Sequence, residues 1–476
     1  MSAKIDRRRF LEVATVSSLF MIGAPASRAA ANARIINDVS QLNPVRIAQE
    51  KRPHSTDEVS ATLRAWPRSI SVGGGRFSMG GQIAAVDSLH LDMRAMKQVV
   101  FFDAPQRRIR VQAGITWRDI QEVIDPYELS IQIMQSYSNF TVGGSVSVNC
   151  HGRYVGKGPL VNSVRALQLV TAHGDVLELT RSREPELFRA VFGSYGGLGV
   201  ITEIELELDV NSRIERVVED ISLEQYPAFF RERITIGKNI VMHNADLVPP
   251  NYAAPRAISW VTTDMPLTQT ARLVPRGLDY SLEKDAIWTF TELPGGNRLR
   301  ENIVDRKLLQ KKVVTWRNCE ASRDTALLEP RTRRISTYLL QEYFIPVQNF
   351  LPFALALARI LKARRVNGLN VSIRHSPADA VSLMTWAPTE AFSFVLYYKQ
   401  RVHQRAADEA GMWTRELIDA ALSYGGRYYL PYRLDATRAQ FEQAYPEARA
   451  FAVLKARLDP DNRLKNLLWN KYLPVI

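Results

Sequence analysis

Glycines spaced closely enough to turn successive backbone N–H groups toward one point make an anion cradle, and this sequence has three such clusters. The first, Gly73-Gly74-Gly75-Arg76-Phe77-Ser78, closes an apolar run from Ser69 to Val72. Loss of the Cβ lets the backbone approach a diphosphate's oxygens, while a plain strand-to-strand turn uses the same residues. Ser78 stands where a dinucleotide fingerprint needs its third glycine, and no Gly-Lys-Ser/Thr follows, so neither common phosphate loop fits. The second cluster, Thr141-Val142-Gly143-Gly144-Ser145-Val146-Ser147-Val148-Asn149-Cys150-His151-Gly152, alternates small residues with valine and leaves one face with little side-chain cover. Such a face suits a flat ring. The third, Gly193-Ser194-Tyr195-Gly196-Gly197-Leu198-Gly199, runs straight into the apolar stretch Val200 to Val210, so a helix dipole has no part in it.

Two reactive side chains end the second cluster. Cys150 has small apolar neighbours and reads as a packed thiol rather than a nucleophile. His151 offers a hydrogen bond to a bound ring or a tie to backbone. With Cys319 as the one other cysteine, a single disulfide is permitted and no metal site is indicated.

Short alternating or apolar runs must hold these loops. Ser55-Thr56-Asp57-Glu58 reads as the capped start of a helix running to Trp66. Strands are expected at Leu89 to Met93, Val99 to Phe102 and Arg108 to Ala113, followed by a helix from Trp117 to Ile124 capped by Thr116. Leu167 to Thr171 and Val176 to Thr180 flank a hairpin signal, and Ser182 is expected to cap a helix from Pro185 to Phe192. Past Asn211 glycine thins out, and a domain boundary is expected there. Strand-like runs recur at Ile335 to Leu340, Val371 to Ile373 and Phe392 to Tyr398, with helical patterns at Val347 to Ala363 and Ala406 to Tyr424. Strands with helices on one side predict an α+β domain with an antiparallel sheet.

At 476 residues, 46% hydrophobic and 23% charged, the chain has the make-up of a globular protein of two or three domains. Arg7-Arg8-Arg9-Phe10-Leu11, an apolar run from Val13 to Ala24 and two Ala-x-Ala sites resemble a twin-arginine signal. The apolar run falls short of the roughly 20 residues of a spanning helix. A periplasmic or extracellular address is therefore expected, with residues 1–33 as the signal. Export of an already folded chain by this route hints at a cofactor loaded beforehand. The net charge of +13 is spread without long runs, which argues against nucleic acid but is compatible with peripheral membrane contact.

Taken in order, the three clusters resemble the FAD-binding domain of the vanillyl-alcohol oxidase and p-cresol methylhydroxylase (PCMH-type) flavoprotein family. Leu458-Asp459-Pro460-Asp461-Asn462-Arg463-Leu464-Lys465-Asn466 resembles that family's closing motif. The resemblance implies an α+β fold: a two-subdomain FAD-binding domain over 34–210, a substrate (cap) domain over 211–440, and a segment over 441–476 that returns to the FAD domain. It implies that Gly73, Gly74, Gly75, Arg76, Phe77 and Ser78 wrap the FAD diphosphate. Thr141, Gly143, Gly144, Ser147, Cys150, His151 and Gly152 would run beside the flavin ring and ribityl chain, and Gly197, Gly199, Val200 and Ile201 would close over the adenine side. Many members bond a histidine after Gly-Gly-Gly to the flavin. Here that position is Arg76, and Tyr137 stands where doubly linked members have a cysteine, so the FAD is expected to be non-covalent.

In the second domain, Leu340-Gln341-Glu342-Tyr343-Phe344-Ile345-Pro346 and Ser372-Ile373-Arg374 resemble segments of sugar-lactone oxidases, with Ser372 in place of their glutamate. Residues 425–460 resemble the oxidases of decaprenylphosphoryl ribose, with Tyr432 in place of their lysine. Both resemblances imply hydride transfer from a CH–OH carbon to flavin N5, with Arg374 stabilising the reduced flavin. Tyr343, Tyr429, Tyr432 or Glu342 would orient or deprotonate the alcohol. Glu342 could equally pair with Arg333 or Arg334. The expected substrate is a sugar, polyol or aldonolactone, with a phospho-sugar lipid or a sterol as further classes, and oxygen, a quinone or a cytochrome as acceptor. A non-enzymatic exported flavoprotein serving as an electron relay is the contrasting expectation.

Overall fold

A computed structural model describes residues 34–237, 239–293, 296 and 311–473. The export signal read in residues 1–33 lies outside them. The first glycine loop grows from a parallel three-stranded sheet of β1 (Gln49–Lys51), β2 (Ile70–Gly73) and β3 (Leu89–Asp92), in the order β1-β3-β2. Helix α1 (Thr56–Ala65) crosses between β1 and β2. Ser55 caps it by accepting the Glu58 N–H at 3.2 Å, and it buries Val59 and Leu63 against Ile70, Leu89 and Leu91.

The second and third loops belong to an antiparallel sheet of β4 (Val99–Asp103), β5 (Arg108–Gln112), β6 (Leu129–Ile131), β7 (Val164–Val170), β8 (Val176–Thr180) and β9 (Val200–Val210). Its order is β8-β7-β9-β5-β4, with β6 on the far end of β9. Helix α2 (Trp117–Ile124) starts in a full capping box between Thr116 and Asp119. The second cluster folds as the short helix α3 (Val142–Ser147) rather than as an alternating extended face, because Val142 and Val146, four apart, are both buried on one helical side. Helix α4 (Pro185–Val191) does not use Ser182 as its cap. It begins after Glu184, whose φ is 54°, and Pro185 at its first turn needs no donor partner. The Ser182 hydroxyl meets Thr180 instead.

The chain leaves this sheet at Val210 and enters an eight-stranded antiparallel one at Arg213. Its strands are β10 (Arg213–Asp220), β11 (Ile240–Leu247), β12 (Arg256–Thr262), β13 (Val314–Trp316), β14 (Ser336–Pro346), β15 (Gly368–Ser376), β16 (Ala391–Arg401) and β17 (Arg427–Tyr428), in the order β13-β10-β12-β11-β15-β16-β14-β17. One face carries Tyr343, Phe394 and Tyr398 and is covered by α5 (Phe350–Ala363) and α6 (Gln404–Ser423). Phe353 packs on Tyr343 and Phe394, and Trp413 on Tyr398. The period of two then commits Tyr338, Leu340 and Glu342 on β14, and Asn370, Ser372 and Arg374 on β15, to the other face. β14 runs six residues beyond the expected end at Leu340, since Gln341 and Glu342 interrupt the apolar run that marks a strand in sequence.

The C-terminal segment closes the glycine loops. Leu464 bridges Ile70 in parallel, with the Lys465 N–H donating to the Ile70 carbonyl at 2.8 Å. From α7 (Ala448–Leu458), Lys455 Nζ donates to the carbonyls of Gly197 (3.1 Å) and Leu464 (2.9 Å) and to Asp459 (2.8 Å). Asn466 and Trp469 donate to the carbonyls of Tyr195 and Ser194.

Candidate active site

Between the glycine loops and the open face of the large sheet lies a cavity of about 390 Å³, adjoined by a smaller one of about 80 Å³. Gly74, Ser78, Thr141, Gly144 and Val148 border both. The larger also takes in Gly75, Arg76, Phe77, Cys150 and His151 from the expected cofactor set. The smaller is reached by Gly143, Ser147, Gly199 and Ile201.

Four expected cofactor residues border neither cavity. A Cβ at Gly73 would fall 2.8 Å from the His90 ring, one at Gly152 would fall 2.1 Å from the Met134 carbonyl, and one at Gly197 would fall 2.7 Å from the Trp469 ring. These glycines admit protein against protein, and Val200 is packed in the core beside Val59 and Leu63.

The first loop has the features of an anion cradle. The N–H groups of Arg76, Phe77 and Ser78 donate to no protein acceptor among the described residues, and Arg76 has φ 63° between neighbours of ordinary hand. A Cβ on Gly74 would come 2.3 Å from Thr141 Oγ1, which itself accepts the Gly75 N–H at 3.2 Å. Free donors, two adjoining cavities and a wall of glycine fit an FAD held across them. The Arg76 guanidinium turns away to Glu50 (3.1 Å) and Asp92 (3.4 Å). No side chain that alkylates readily replaces the tethering histidine at this point.

Facing the loops, β14 and α3's extension meet in a buried dyad. His151 Nε2 lies 2.7 Å from Glu342 Oε1, with the two side chains 4% and 2% exposed. Burial raises the Glu342 carboxyl, but the charge His151 carries when protonated, its hydrogen bond, the charge of Arg374 and a bond from Ser393 outweigh it and hold it below the ordinary glutamate range. An ionised carboxylate only accepts, so Nε2 carries the hydrogen. Nδ1 is then left without a partner among the described residues.

Trp386 (4.8 Å) and Phe344 (5.4 Å) clamp the imidazole ring. The Tyr432 hydroxyl donates to the other Glu342 oxygen at 3.2 Å. Burial first, then the Glu342 charge, pushes this phenol well up, which keeps it a neutral donor. The alternative partner Arg333 bonds Thr337 instead.

Arg374 borders the cavity next to this dyad, makes no ion pair among the described residues and leaves its Nε unpartnered. Tyr429 also borders it, yet its hydroxyl is spent on the carbonyls of Val148 (2.9 Å) and Asn149 (3.3 Å), so it braces the second loop. Tyr343 is removed from the site: one residue along β14 from Glu342, it points into the helix-covered core. Cys150 is buried, its thiol pushed up by desolvation, and forms no disulfide with Cys319. The one disulfide the sequence permits is thus not made.

Several cavity residues were not anticipated, namely Tyr137, Arg153, Asn244, Asp246, Glu320, Arg323 and Asn370. For three of them a signal exists in sequence. Asn244 and Asp246, and Asn370 with Ser372 and Arg374, place polar side chains at every second position along one face of their strands.

A family model described as an FAD binding domain matches residues 48–180. Over 441 residues the chain is 24% identical to an L-gulonolactone oxidase of Bos taurus, covering 88% of this chain and 94% of that protein. It is 23% identical over 432 residues to an L-gulono-1,4-lactone dehydrogenase of Mycobacterium tuberculosis, covering 86% and 91%. It is also 23% identical over 434 residues to a decaprenylphosphoryl-beta-D-ribose oxidase of Mycolicibacterium smegmatis, again covering 86% and 91%.

Proposed function

We propose that this chain, an FAD-dependent enzyme of the PCMH-type oxidase family acting on CH–OH donors, oxidises a secondary or primary alcohol of a sugar, polyol or aldonolactone. The observation that carries the reading is the buried contact of His151 Nε2 with Glu342 on the wall facing the cradle. FAD, when bound, supplies the acceptor for the hydride that leaves the carbinol carbon.

The protein's part is to take the hydroxyl proton as that hydride leaves. Glu342 fixes the imidazole with its hydrogen on Nε2, which leaves the buried, unpartnered Nδ1 as the ring's acceptor for that proton. Tyr432 occupies the second carboxylate oxygen and keeps Glu342 from rotating off the ring. Arg374 supplies positive charge where negative charge gathers during hydride transfer. The aromatic clamp and Tyr429 hold the second loop and its histidine in register.

Anaerobic mixing with a panel of polyols, aldonolactones, sterols and phospho-sugars tests this: at least one should bleach the visible absorbance of the bound flavin. If none does, the enzymatic reading fails. Arg374→Ala should slow that bleaching by about 10²-fold with the flavin still bound, as the loss of one aimed charge does in a dry site. An unchanged rate would remove Arg374 from the chemistry.

The flavin is held without a covalent bond, a reading supported by Arg76 in the first loop and by the engagement of its guanidinium with Glu50 and Asp92. Acid precipitation should leave a colourless pellet, and yellow colour retained there would overturn it. Export by the twin-arginine route is part of the same proposal. Cell fractionation of the chain and of Arg7→Lys/Arg8→Lys should place the first in the periplasm and the second in the cytoplasm.

A further inference from the structure

We infer that the cavity holds a second recognition point, built from Arg153, Arg323 and Tyr137, which takes an anionic group of the substrate. The inference rests on reading this cavity as the substrate chamber. Glu320, with its side chain 4% exposed, lies between two guanidiniums: Oε1 accepts from Arg153 at 2.9 Å, and Oε2 accepts from Arg323 at 2.6 and 3.0 Å. Burial raises this carboxyl, but the charges of Arg323 and Arg153 hold it below the ordinary glutamate range, so it is ionised. One carboxylate against two guanidiniums leaves one positive charge over, with the Arg153 side chain 13% exposed and that of Arg323 46% exposed.

The hydrogen-bond inventory says what can satisfy that charge. A guanidinium has five N–H donors and no acceptor. Arg323 uses Nε and Nη2 on Glu320, and Arg153 uses Nη2, which leaves further donors on both at the cavity wall. Tyr137 stands among Arg323, Arg153 and Arg374, whose charges all act on its phenol. Burial pushes that phenol up, so it remains a hydroxyl donor, and it bonds no protein group among the described residues.

Both Glu320 oxygens are filled, so the cluster offers donors and almost no acceptor. A neutral hydroxyl wants one of each, whereas a carboxylate or phosphate ester only accepts. Asp246, a further carboxylate at the cavity besides Glu329 and Glu342, lies within reach of the Asn244 and Asn370 amides at 3.5 and 3.4 Å.

Arg374 ties this subsite to the reacting end, because its charge acts on both Tyr137 and Glu342. The substrate class that spans the two is a hydroxy acid in the broad sense: a sugar acid or sugar phosphate with its anion a few bonds from the carbon oxidised. A neutral lactone would leave the donors unanswered.

The test uses the flavin-loaded protein and matched pairs, galacturonate against galactose and ribose 5-phosphate against ribose. Binding is read from the flavin's visible absorbance and, independently, by calorimetry. One anion of the two pairs should bind at least about tenfold tighter than its neutral partner, the span of a charge-assisted hydrogen bond. The pair that does so tells carboxylate from phosphate. Arg323→Gln should abolish the preference and Arg323→Lys should keep most of it. Should Arg323→Gln fail to hold flavin, Arg153→Gln takes its place. Equal binding within both pairs, or a preference that survives the neutral variant, overturns the subsite. Charge discrimination without any bleaching would sink the proposed chemistry and leave this subsite standing. Bleaching by neutral alcohols without discrimination would do the reverse.

Discussion

Glu342→Gln should slow anaerobic flavin reduction by about 10²-fold or more while FAD remains bound, the range of general acid–base catalysis. The change keeps the size of the side chain and removes its charge, and an amide can face the imidazole with either its oxygen or its NH2. Half of that choice puts the hydrogen on the wrong ring nitrogen and silences Nδ1 as an acceptor. His151→Ala should cost a similar factor, and the double variant little more than either, since the two act as one unit. Tyr432→Phe, which removes a neutral donor from the same carboxylate, should cost only a few-fold. Stopped-flow bleaching of all four variants decides it. A Glu342→Gln rate within twofold of wild type would show that the dyad is structural.

The second large effect is expected far from the reacting end, at Lys455. Its side chain is 3% exposed, and its ammonium bonds Asp459 and two carbonyls, one of them on the third glycine loop. Lys455→Ala leaves the Asp459 carboxylate buried and unpaired, and breaking such a pair costs about 3–5 kcal/mol. The third loop loses its anchor at Gly197 in the same step. Thermal melts should fall by several degrees, and the variant should lose FAD on gel filtration unless FAD is in the running buffer. Lys455→Met with an unchanged melting temperature and full flavin occupancy would refute the anchoring role.

The glycine loops and their strands were legible because backbone approach and strand period both leave local marks. Ser55, Thr116 and the hairpin at Leu167 to Thr180 mark themselves by type and spacing alone. What escaped was set by contacts between distant parts. Nothing near Glu342 in the sequence names His151, 191 residues away, as its partner. Tyr343 was expected at the site because it shares with Glu342 the segment that resembles sugar-lactone oxidases, yet adjacency on a strand means opposite faces. The short helix at Val142–Ser147 was hidden by valines whose spacing satisfies both a period of two and a helical step of four. Glycines that look alike in sequence divide in the fold into those that border the cavity, such as Gly74 and Gly75, and those that border neither cavity, such as Gly73 and Gly197.

The closing segment also fixes when the site can come into being during synthesis. Lys455 and Gly197 are 258 residues apart, and Arg463 reaches the Trp66 carbonyl across 397. A ribosome that has delivered the whole glycine-loop region still withholds the residues that lock it. Until Trp469 has emerged, the first and third loops lack these braces. Non-local closure of this kind makes folding slow and the unlocked intermediate prone to association. Cofactor retention thereby reports on a finished chain.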